Sequence, residues 1–142
     1  GPIKDFCGTC TRCVEACPTD AILPDKVIDA SKCISYYTIE LKSHLSPELK
    51  KGQLDGWLFG CDTCQDVCPW NRFSKSHSTA AFEIAPSILT MKAQEWEEMT
   101  EESFKKVFAN SPLQRTKFSG IQRNLKLLRD TQDAVIASST TQ

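Results

Sequence analysis

The first half of the chain has short apolar runs separated by turn residues, a pattern typical of a loop-rich region. Apolar residues at 21–23 and 27–28 flank a Pro-Asp turn and predict a minimal β-hairpin. Apolar positions then recur at helical spacing, which predicts a helix over residues 32–43. A Ser-Pro-Glu sequence predicts a further short helix over residues 46–52, ended by a glycine.

The last third of the chain has a helical pattern. Residues 91–99 are acidic and amphipathic, and Thr100 is positioned to cap the next helix, which has an acidic first turn and a basic last turn. A Ser-Pro pair at 111–112 predicts another helix start, and Gly120 is expected to interrupt that helix. The apolar faces of these helices are predicted to consist of Phe104, Val107, Phe108, Ile121, Leu125 and Leu128.

These elements predict an α+β fold that is mainly helical. Residues 1–73 contain every cysteine and form the first predicted domain, a two-cluster ferredoxin-like unit. Residues 74–81 are small and polar and are expected to be a linker. Residues 82–130 form a small helical region, and the polar residues 131–142 are expected to be a disordered tail.

Two cysteine runs dominate the first domain. The run at residues 7–18 reads Cys-x-x-Cys-x-x-Cys-x-x-x-Cys-Pro, which is the bacterial ferredoxin pattern for iron–sulfur clusters. The run at residues 61–69 repeats it without its first cysteine, whose place is taken by Leu58. An apolar segment between glycines at 56–60 leads into this second run and is expected to pack over a cluster.

The eight cysteines divide into two complete ligand sets. In two-cluster ferredoxins the fourth cysteine of each run ligates the other cluster, so the two runs exchange Cys17 and Cys68. One position then remains open, and Cys33 is the one cysteine left to fill it. The predicted sets are Cys7, Cys10, Cys13 and Cys68 for cluster one, and Cys17, Cys33, Cys61 and Cys64 for cluster two.

Disulfides and zinc are the alternative uses of these cysteines. Eight cysteines could form four disulfides, but about 6% cysteine is below the density of disulfide scaffolds. Zinc binds paired Cys-x-x-Cys units well, yet it needs only four ligands and has no use for a triple run that ends in Cys-Pro. The pattern therefore favours two [4Fe–4S] clusters.

Composition and charge indicate a cellular compartment and a possible partner. Thiolate-bound clusters suit a reducing compartment, so the cytoplasm is expected, and no apolar run approaches the roughly 18 residues of a membrane span. Residues 1–102 carry 10 basic and 16 acidic side chains, whereas residues 103–129 carry seven basic and none acidic. Such a basic segment indicates either a polyanionic partner or a solvated helix face.

Three stretches of the chain resemble epoxyqueuosine reductases. The first is Cys-Gly-x-Cys-x-x-Cys-x-x-x-Cys-Pro-Thr at residues 7–19, and the second is Asp-Ala-Ser-Lys-Cys-Ile-Ser-Tyr at residues 29–36. The third is Gly-Cys-Asp-x-Cys-Gln-Asp-Val-Cys-Pro-Trp-Asn at residues 60–71. The Ser-Pro-Leu … Arg-Asn stretch at 111–124 is similar to the helical region of the family, so the resemblance runs to about residue 129.

This resemblance implies a cobalamin-dependent reductase that converts epoxyqueuosine to queuosine at the tRNA wobble position. It implies that two [4Fe–4S] clusters on the eight cysteines relay electrons to the cobalamin. The domain that binds cobalamin and carries the catalytic acid precedes the first cysteine run in the family, so no catalytic residue is assigned in these 142 residues. The part at hand is expected to be redox-active but catalytically inactive alone.

The resemblance also implies partners, and two alternatives stay open. The expected partners are the anticodon loop of tRNA and an unidentified electron donor, with no membrane and a monomeric state. The cations expected to contact tRNA are Arg115, Lys117, Arg123, Lys126 and Arg129. A free-standing two-cluster ferredoxin and a zinc-bearing nucleic-acid module are the alternative functions.

Overall fold

The computed structural model describes residues 6–42 and 54–139. Helical elements dominate these ranges, which confirms that the chain is mainly helical. The α-helices are α1 (Arg12–Ala16), α2 (Thr63–Asp66), α3 (Pro86–Leu89), α4 (Ala93–Glu97), α5 (Glu101–Val107) and α6 (Lys117–Ser139). A π-helical turn spans Tyr36–Glu40, and 3₁₀ turns span Pro69–Phe73, Ala80–Phe82 and Pro112–Arg115.

Helices α1 and α2 are equivalent parts of the two cysteine runs, and they pack against each other. The chain leaves α1 at Cys17 (φ −68°, ψ 115°), and Cys68 after α2 has nearly the same backbone conformation (φ −70°, ψ 120°). Proline follows both cysteines and disfavours helical geometry in the residue before it. Each Cys-Pro pair therefore turns the fourth cysteine of its run away from the helix.

The predicted hairpin is present in its shortest form. Ile22 and Ile28 form an isolated antiparallel bridge, and the backbone N–H of Leu23 donates to the carbonyl of Val27 at 2.9 Å. In the ranges that the structure describes, this bridge is the whole of the β structure. The β part of the predicted α+β class is therefore limited to a single bridge.

The helix predicted over residues 32–43 is shorter and wider than its pattern suggests. Its helical geometry begins at Ile34 and becomes π-helical over Tyr36–Glu40, and Leu41 is extended. Ile34 and Tyr37, two of the positions that recur at helical spacing, are buried. The helix predicted over residues 46–52 lies outside the described residues.

An aromatic core holds the helical region together. Phe104, Phe108 and Ile121 are its fully buried members. The ring of Phe108 lies 5.3 Å from that of Trp96, in a stacked arrangement, and 5.1 Å from that of Phe104. Val107 was predicted to belong to this apolar face, but it is exposed because α5 presents positions 104 and 108 to the core.

The segment at 56–60 packs on this aromatic core, contrary to the prediction that it covers a cluster. Its apolar members Leu58 and Phe59 are half-buried against the core. The predicted linker residues 74–80 are exposed, and a 3₁₀ turn over Ala80–Phe82 follows them. Leu58 and Phe59 therefore connect the cysteine region to the helical region. The domain boundaries given above stay predictions.

Helix α6 passes through Gly120 without interruption, so the predicted break is wrong. A Cβ at Gly120 would lie 2.2 Å from the Oγ1 of Thr116, so this position is glycine because the helix approaches Thr116 closely. The helix also continues to Ser139, into the range predicted as a disordered tail, because no proline or glycine follows Gly120.

None of the described helices has the length and apolar character of a membrane span.

Candidate iron–sulfur cluster sites

The first cavity brings together the four cysteines predicted for cluster one. A turn closed by the N–H of Cys10 on the carbonyl of Cys7 (3.0 Å) contains Gly8 at φ +52°, a conformation that favours glycine. Helix α1 carries Cys13, and Cys68 arrives from the second run. The lining residues of this cavity are Phe6, Cys7, Cys10, Arg12, Cys13, Cys68, Pro69, Trp70 and Arg72.

The second cavity brings together the four cysteines predicted for cluster two. Cys17 enters from the end of the first run, and Cys61 and Cys64 belong to the second run. Cys33 completes the wall just before the helical turn that begins at Ile34. The other lining residues are Pro18, Thr19, Ala21, Ile22, Ile28, Ile34 and Thr63.

Hydrogen bonds favour the thiolate form of Cys17. Its sulfur accepts from the backbone N–H of Ala21 at 3.2 Å and lies 3.7 Å from the Oγ1 of Thr19. Burial opposes ionisation, but hydrogen bonds from these residues and from Ile22 outweigh it and lower the pKa of the thiol. The second run repeats the Thr contact, because the Sγ of Cys61 lies 3.5 Å from the Oγ1 of Thr63.

The electrostatics of Cys64 indicate how closely the thiols gather. Burial raises the pKa of the Cys64 thiol, and the negative charges of Cys61, Cys33 and Cys13 raise it further. Two of these neighbours line the same cavity, whereas Cys13 lines the first one. The two cavities are therefore close enough to interact electrostatically, and bound iron would supply the positive charge that the thiolates require.

The donor set fits [4Fe–4S] clusters. All eight cysteines are present as thiols rather than disulfides. Four of the thiols line one cavity and the other four line the second. A [4Fe–4S] cluster takes four thiolate ligands, so each cavity has the donor set of one cluster.

The cations predicted to contact tRNA do not share one environment. Lys117, Lys126 and Arg129 are exposed. Arg115 is also exposed but pairs with Glu40, and this hydrogen bond lowers the pKa of the Glu40 carboxyl. The absence of acidic neighbours, which the sequence suggested, therefore does not hold for Arg115.

Arg123 is off the apolar stripe of α6, so contact with tRNA required it to be exposed, but the structure places it partly inside the fold. The guanidinium is half-buried, and burial lowers its pKa. It donates to the carbonyls of Leu41 (2.6 Å) and Tyr37 (2.7 Å). The π-helical turn makes these carbonyls available, so Arg123 has a role inside the fold rather than on a nucleic-acid surface.

Sequence reasoning overlooked Asn124, Thr116 and Thr38, which are buried and join α6 to the cysteine region. Asn124 lies three residues after Ile121 and four before Leu128, on the predicted apolar stripe of the helix. A polar residue on that stripe was a signal that could have been recognised. The glycine four residues after Thr116 was another.

The two cavities with four cysteines each are typical of an iron–sulfur protein, and comparison with protein families agrees. Residues 6–71 match the family model of the 4Fe-4S double cluster binding domain. The matched range begins just before Cys7 and ends just after Cys68, so it includes all eight thiols. The chain therefore contains an iron–sulfur domain for two [4Fe–4S] clusters.

Comparison with individual proteins gives a more specific similarity than the family model. The chain is 54% identical over 128 residues to the epoxyqueuosine reductase of Cellulophaga algicola, covering 90% of the chain and 42% of that protein. It is 60% identical over 127 residues to the epoxyqueuosine reductase of Cyclobacterium marinum, covering 89% of the chain and 40% of that protein. The chain thus spans about two-fifths of the length of these curated relatives, and it is homologous to one region of the epoxyqueuosine reductases.

Solved structures agree with these relatives. The structure of epoxyqueuosine reductase from Bacillus subtilis superposes with a TM-score of 0.79 at 34% identity, covering 92% of this chain and 34% of that one. A structure of epoxyqueuosine reductase with a tRNA-Tyr epoxyqueuosine-modified tRNA stem loop matches with the same score, identity and coverage. The arrangement described above is therefore a known fold of this enzyme group.

Proposed function

We propose that the chain is the electron-relay part of a cobalamin-dependent reductase that converts epoxyqueuosine to queuosine in tRNA. The observation that carries this proposal is the pair of four-thiol cavities on a chain homologous to epoxyqueuosine reductases. Each cavity takes a cysteine from both runs, so neither cysteine run completes a cluster site alone. A two-cluster ferredoxin-like unit of this kind carries electrons one at a time.

The proposed ligand sets follow the cavity walls. Cluster one would be held by Cys7, Cys10, Cys13 and Cys68, and cluster two by Cys17, Cys33, Cys61 and Cys64. Buried Ala21 and Ile34 line the second cavity, and the protein donates hydrogen bonds to Cys17. Both features are ways in which a protein sets the reduction potential of a cluster.

Electron counting explains why a relay of this kind suits the reaction. Conversion of an epoxide to an alkene releases the oxygen as water and consumes two electrons and two protons. Two neighbouring clusters can accept and pass these electrons in single steps. Cobalamin would supply the chemistry at the substrate, and no residue of this chain is assigned to it or to the proton transfer.

The partners of the whole reductase are part of the same proposal. tRNA is supported by the structure of a related reductase with a tRNA stem loop, and the exposed cations Lys117, Lys126 and Arg129 suit contacts to its phosphates. The electron donor is a reductant still to be identified. A monomeric, cytoplasmic protein remains the expectation.

The ligand assignment is tested first with the chain itself. Reconstitution with iron and sulfide under anaerobic conditions should give about eight iron and eight sulfide per chain, as two [4Fe–4S] clusters require. Cys33→Ala should lose about half of both, because its cavity keeps only three thiols, and the electron paramagnetic resonance (EPR) signal of the other cluster should persist. Unchanged iron in the variant would overturn the ligand set.

The relay function is tested with a chimera. In the epoxyqueuosine reductase of Cyclobacterium marinum, the 127 matching residues are replaced by those of this chain. The chimera should convert epoxyqueuosine in tRNA to queuosine when a chemical reductant is supplied, and the Cys33→Ala chimera should not. A chimera that folds and holds eight iron but transfers no electrons would contradict the relay.

A further inference from the structure

The π-helical turn over Tyr36–Glu40 presents backbone acceptors to α6. Its wider spacing is marked by the bond from the N–H of Leu41 to the carbonyl of Tyr36 at 3.0 Å, five residues apart. The carbonyls of Tyr37 and Thr38 instead accept hydrogen bonds from side chains of α6 and the residue before it. The turn therefore provides the docking point for the last helix, and it begins three residues after Cys33.

Asn124 is the centre of this contact. It is 1% exposed, and its Nδ2 donates to the carbonyls of Thr38 and Leu58, each at 3.0 Å. Its Oδ1 accepts from the Nε (3.1 Å) and Nη2 (3.0 Å) of Arg123. All four hydrogen bonds of the amide are thus made, and the guanidinium beside Oδ1 fixes which end of the amide faces the carbonyls.

Thr38 extends the contact to the second run. Its carbonyl accepts from the Oγ1 of Thr116 at 3.0 Å, in addition to Asn124. Its own hydroxyl donates to the carbonyl of Ile34 at 2.8 Å and accepts from the N–H of Gly60 at 3.0 Å. We name Thr38, Thr116, Arg123 and Asn124 together the α6 lock.

The α6 lock acts on the residues next to two cysteines of the second cavity. Ile34 directly follows Cys33, and Gly60 directly precedes Cys61. These cysteines are far apart in the sequence, yet both line the same cavity. The lock thus ties the two segments that carry them at points one residue away from each thiol.

We propose that Asn124 is a positioning residue for cluster two, fixing the separation of Cys33 and Cys61 through the π-helical turn and the Leu58–Gly60 segment. The proposal rests on the ligand set proposed above. Residues that hold the ligands of a metal site in place through hydrogen bonds orient those ligands, and their removal costs about 10–100-fold in metal affinity. Asn124 therefore acts on cluster two through the backbone and not by touching it.

The polar chemistry of the lock supports a positioning role. Apolar packing of α6 on the turn would tolerate small shifts along the helix, whereas directional hydrogen bonds permit only one arrangement. The side chains of the lock are also deeply buried: Thr38, Thr116 and Asn124 are at most 2% exposed. Leaving any of them without a hydrogen-bond partner would therefore lower the free energy of unfolding of the chain. The bonds of the lock lead to segments that flank Cys33 and Cys61, so cluster two should respond to the lock and cluster one should not.

The test uses the reconstituted chain and two kinds of variant. Asn124→Asp keeps the side-chain shape and the acceptor for Arg123 but cannot donate to Thr38 and Leu58. Thr116→Val removes one donor to the same Thr38 carbonyl without adding charge, and Thr116→Ser retains that donor. The readouts are the rate at which a chelator removes iron and the two midpoint potentials from an EPR-monitored redox titration.

In both Asn124→Asp and Thr116→Val, we expect four of the eight iron atoms to be lost roughly 10–100-fold faster, with one midpoint potential shifted. The other four iron atoms and the other potential should match the unmodified chain. Thr116→Ser should behave like the unmodified chain. Thr100→Ala is the control for general destabilisation, because it removes the hydroxyl that accepts from the N–H of Ser103 at the start of α5 and leaves the lock and the Leu58–Gly60 segment untouched.

Each outcome decides the proposal. Equal acceleration for all eight iron atoms, or the same selective loss in Thr100→Ala, would mean a general loss of stability and would overturn it. Unchanged kinetics and potentials in both lock variants would overturn it as well. If Asn124→Asp does not fold, Thr116→Val against Thr116→Ser decides alone, and Cys33→Ala tests the ligand set independently.

Discussion

At the scale of single residues, Gly120 illustrates how a close contact determines which amino acid can occupy a position. Its position is helical and buried, where alanine would ordinarily be preferred by about 0.5–1 kcal/mol. Here the hydroxyl of Thr116 occupies the space that a Cβ would need. That hydroxyl is 3.0 Å from the Thr38 carbonyl to which it donates, so it has little freedom to move away.

We therefore predict that Gly120→Ala destabilises the chain, against its helix propensity. Overpacking of this kind costs about 1–3 kcal/mol, which exceeds the propensity gain. The measurement is the midpoint of urea unfolding of the reconstituted protein. Ser119→Ala is the matched control, because Ser119 is the exposed neighbour on the same helix and should change stability little. A raised midpoint for Gly120→Ala would contradict the clash.

Single residues also show which parts of the candidate site could be predicted from the sequence and which could not. The grouping of the cysteines could be predicted because their spacing is local and their number must close, and the structure places Cys33 in the cavity that this count predicts. Their role as cluster ligands stays a prediction. Asn124 and Arg123 depend on carbonyls 66 to 86 residues earlier in the chain, and no local pattern encodes such partners. Sequence reasoning placed Arg123 at the surface because it lies off the apolar stripe of Ile121, Leu125 and Leu128.

At the scale of elements, α5 follows its local signals closely. Thr100 was predicted as its N-cap, and the Oγ1 of Thr100 accepts from the N–H of Ser103 at 3.2 Å. Lys105 pairs with Glu101 at 2.8 Å, one turn away on the exposed face. The π-helical turn, by contrast, was predicted as an ordinary helix, because its carbonyls bond to the side chains of Thr116, Arg123 and Asn124, which its own residues do not reveal.

The cap of α5 gives a prediction at this scale. Thr100→Ala should lower the free energy of unfolding by about 1 kcal/mol, because the N–H of Ser103 loses its acceptor. Thr100→Ser, which keeps the hydroxyl, should stay close to the unmodified chain. Thermal unfolding followed by circular dichroism compares the three proteins. Equal melting of the Ala and Ser variants would mean that water replaces the cap without cost.

At the scale of the whole molecule, charge on α6 gives a prediction about tRNA. Lys126 and Arg129 are exposed and three residues apart on one helix, so they can face the same stretch of phosphates. Replacing both with Gln should weaken tRNA binding by the chain. It should also reduce the slope of log affinity against log salt by roughly one unit for each lost phosphate contact.

Filter binding or fluorescence anisotropy over a range of salt concentrations measures that slope. The matched control replaces Lys75 and Lys92, which are exposed and lie outside the basic segment, with Gln. It changes the net charge equally and should leave the slope almost unchanged. If both double variants change the slope alike, the basic segment acts only through the total charge of the chain.

The distribution of the apolar core predicts an uneven response to loss of iron. The largest fully buried apolar side chains, apart from Ile34, lie in the aromatic core, where Leu58 and Phe59 add further contacts. Around the cluster cavities, Ala21 and Ile34 are buried, but Leu23, Val27 and Ile28 remain exposed. So little burial cannot offset the conformational entropy of a loop-rich segment, and cluster binding must supply the missing folding free energy.

We therefore predict that iron removal unfolds α1 and the π-helical turn while α5 stays folded. Hydrogen–deuterium exchange of the apo and reconstituted proteins resolves the two regions. In the apo protein, amides of Arg12–Ala16 and Tyr36–Glu40 should lose protection, and those of Glu101–Val107 should keep most of it. Loss of protection in all three would mean that the aromatic core depends on the clusters. Retained protection in α1 would mean that the cysteine region folds without them.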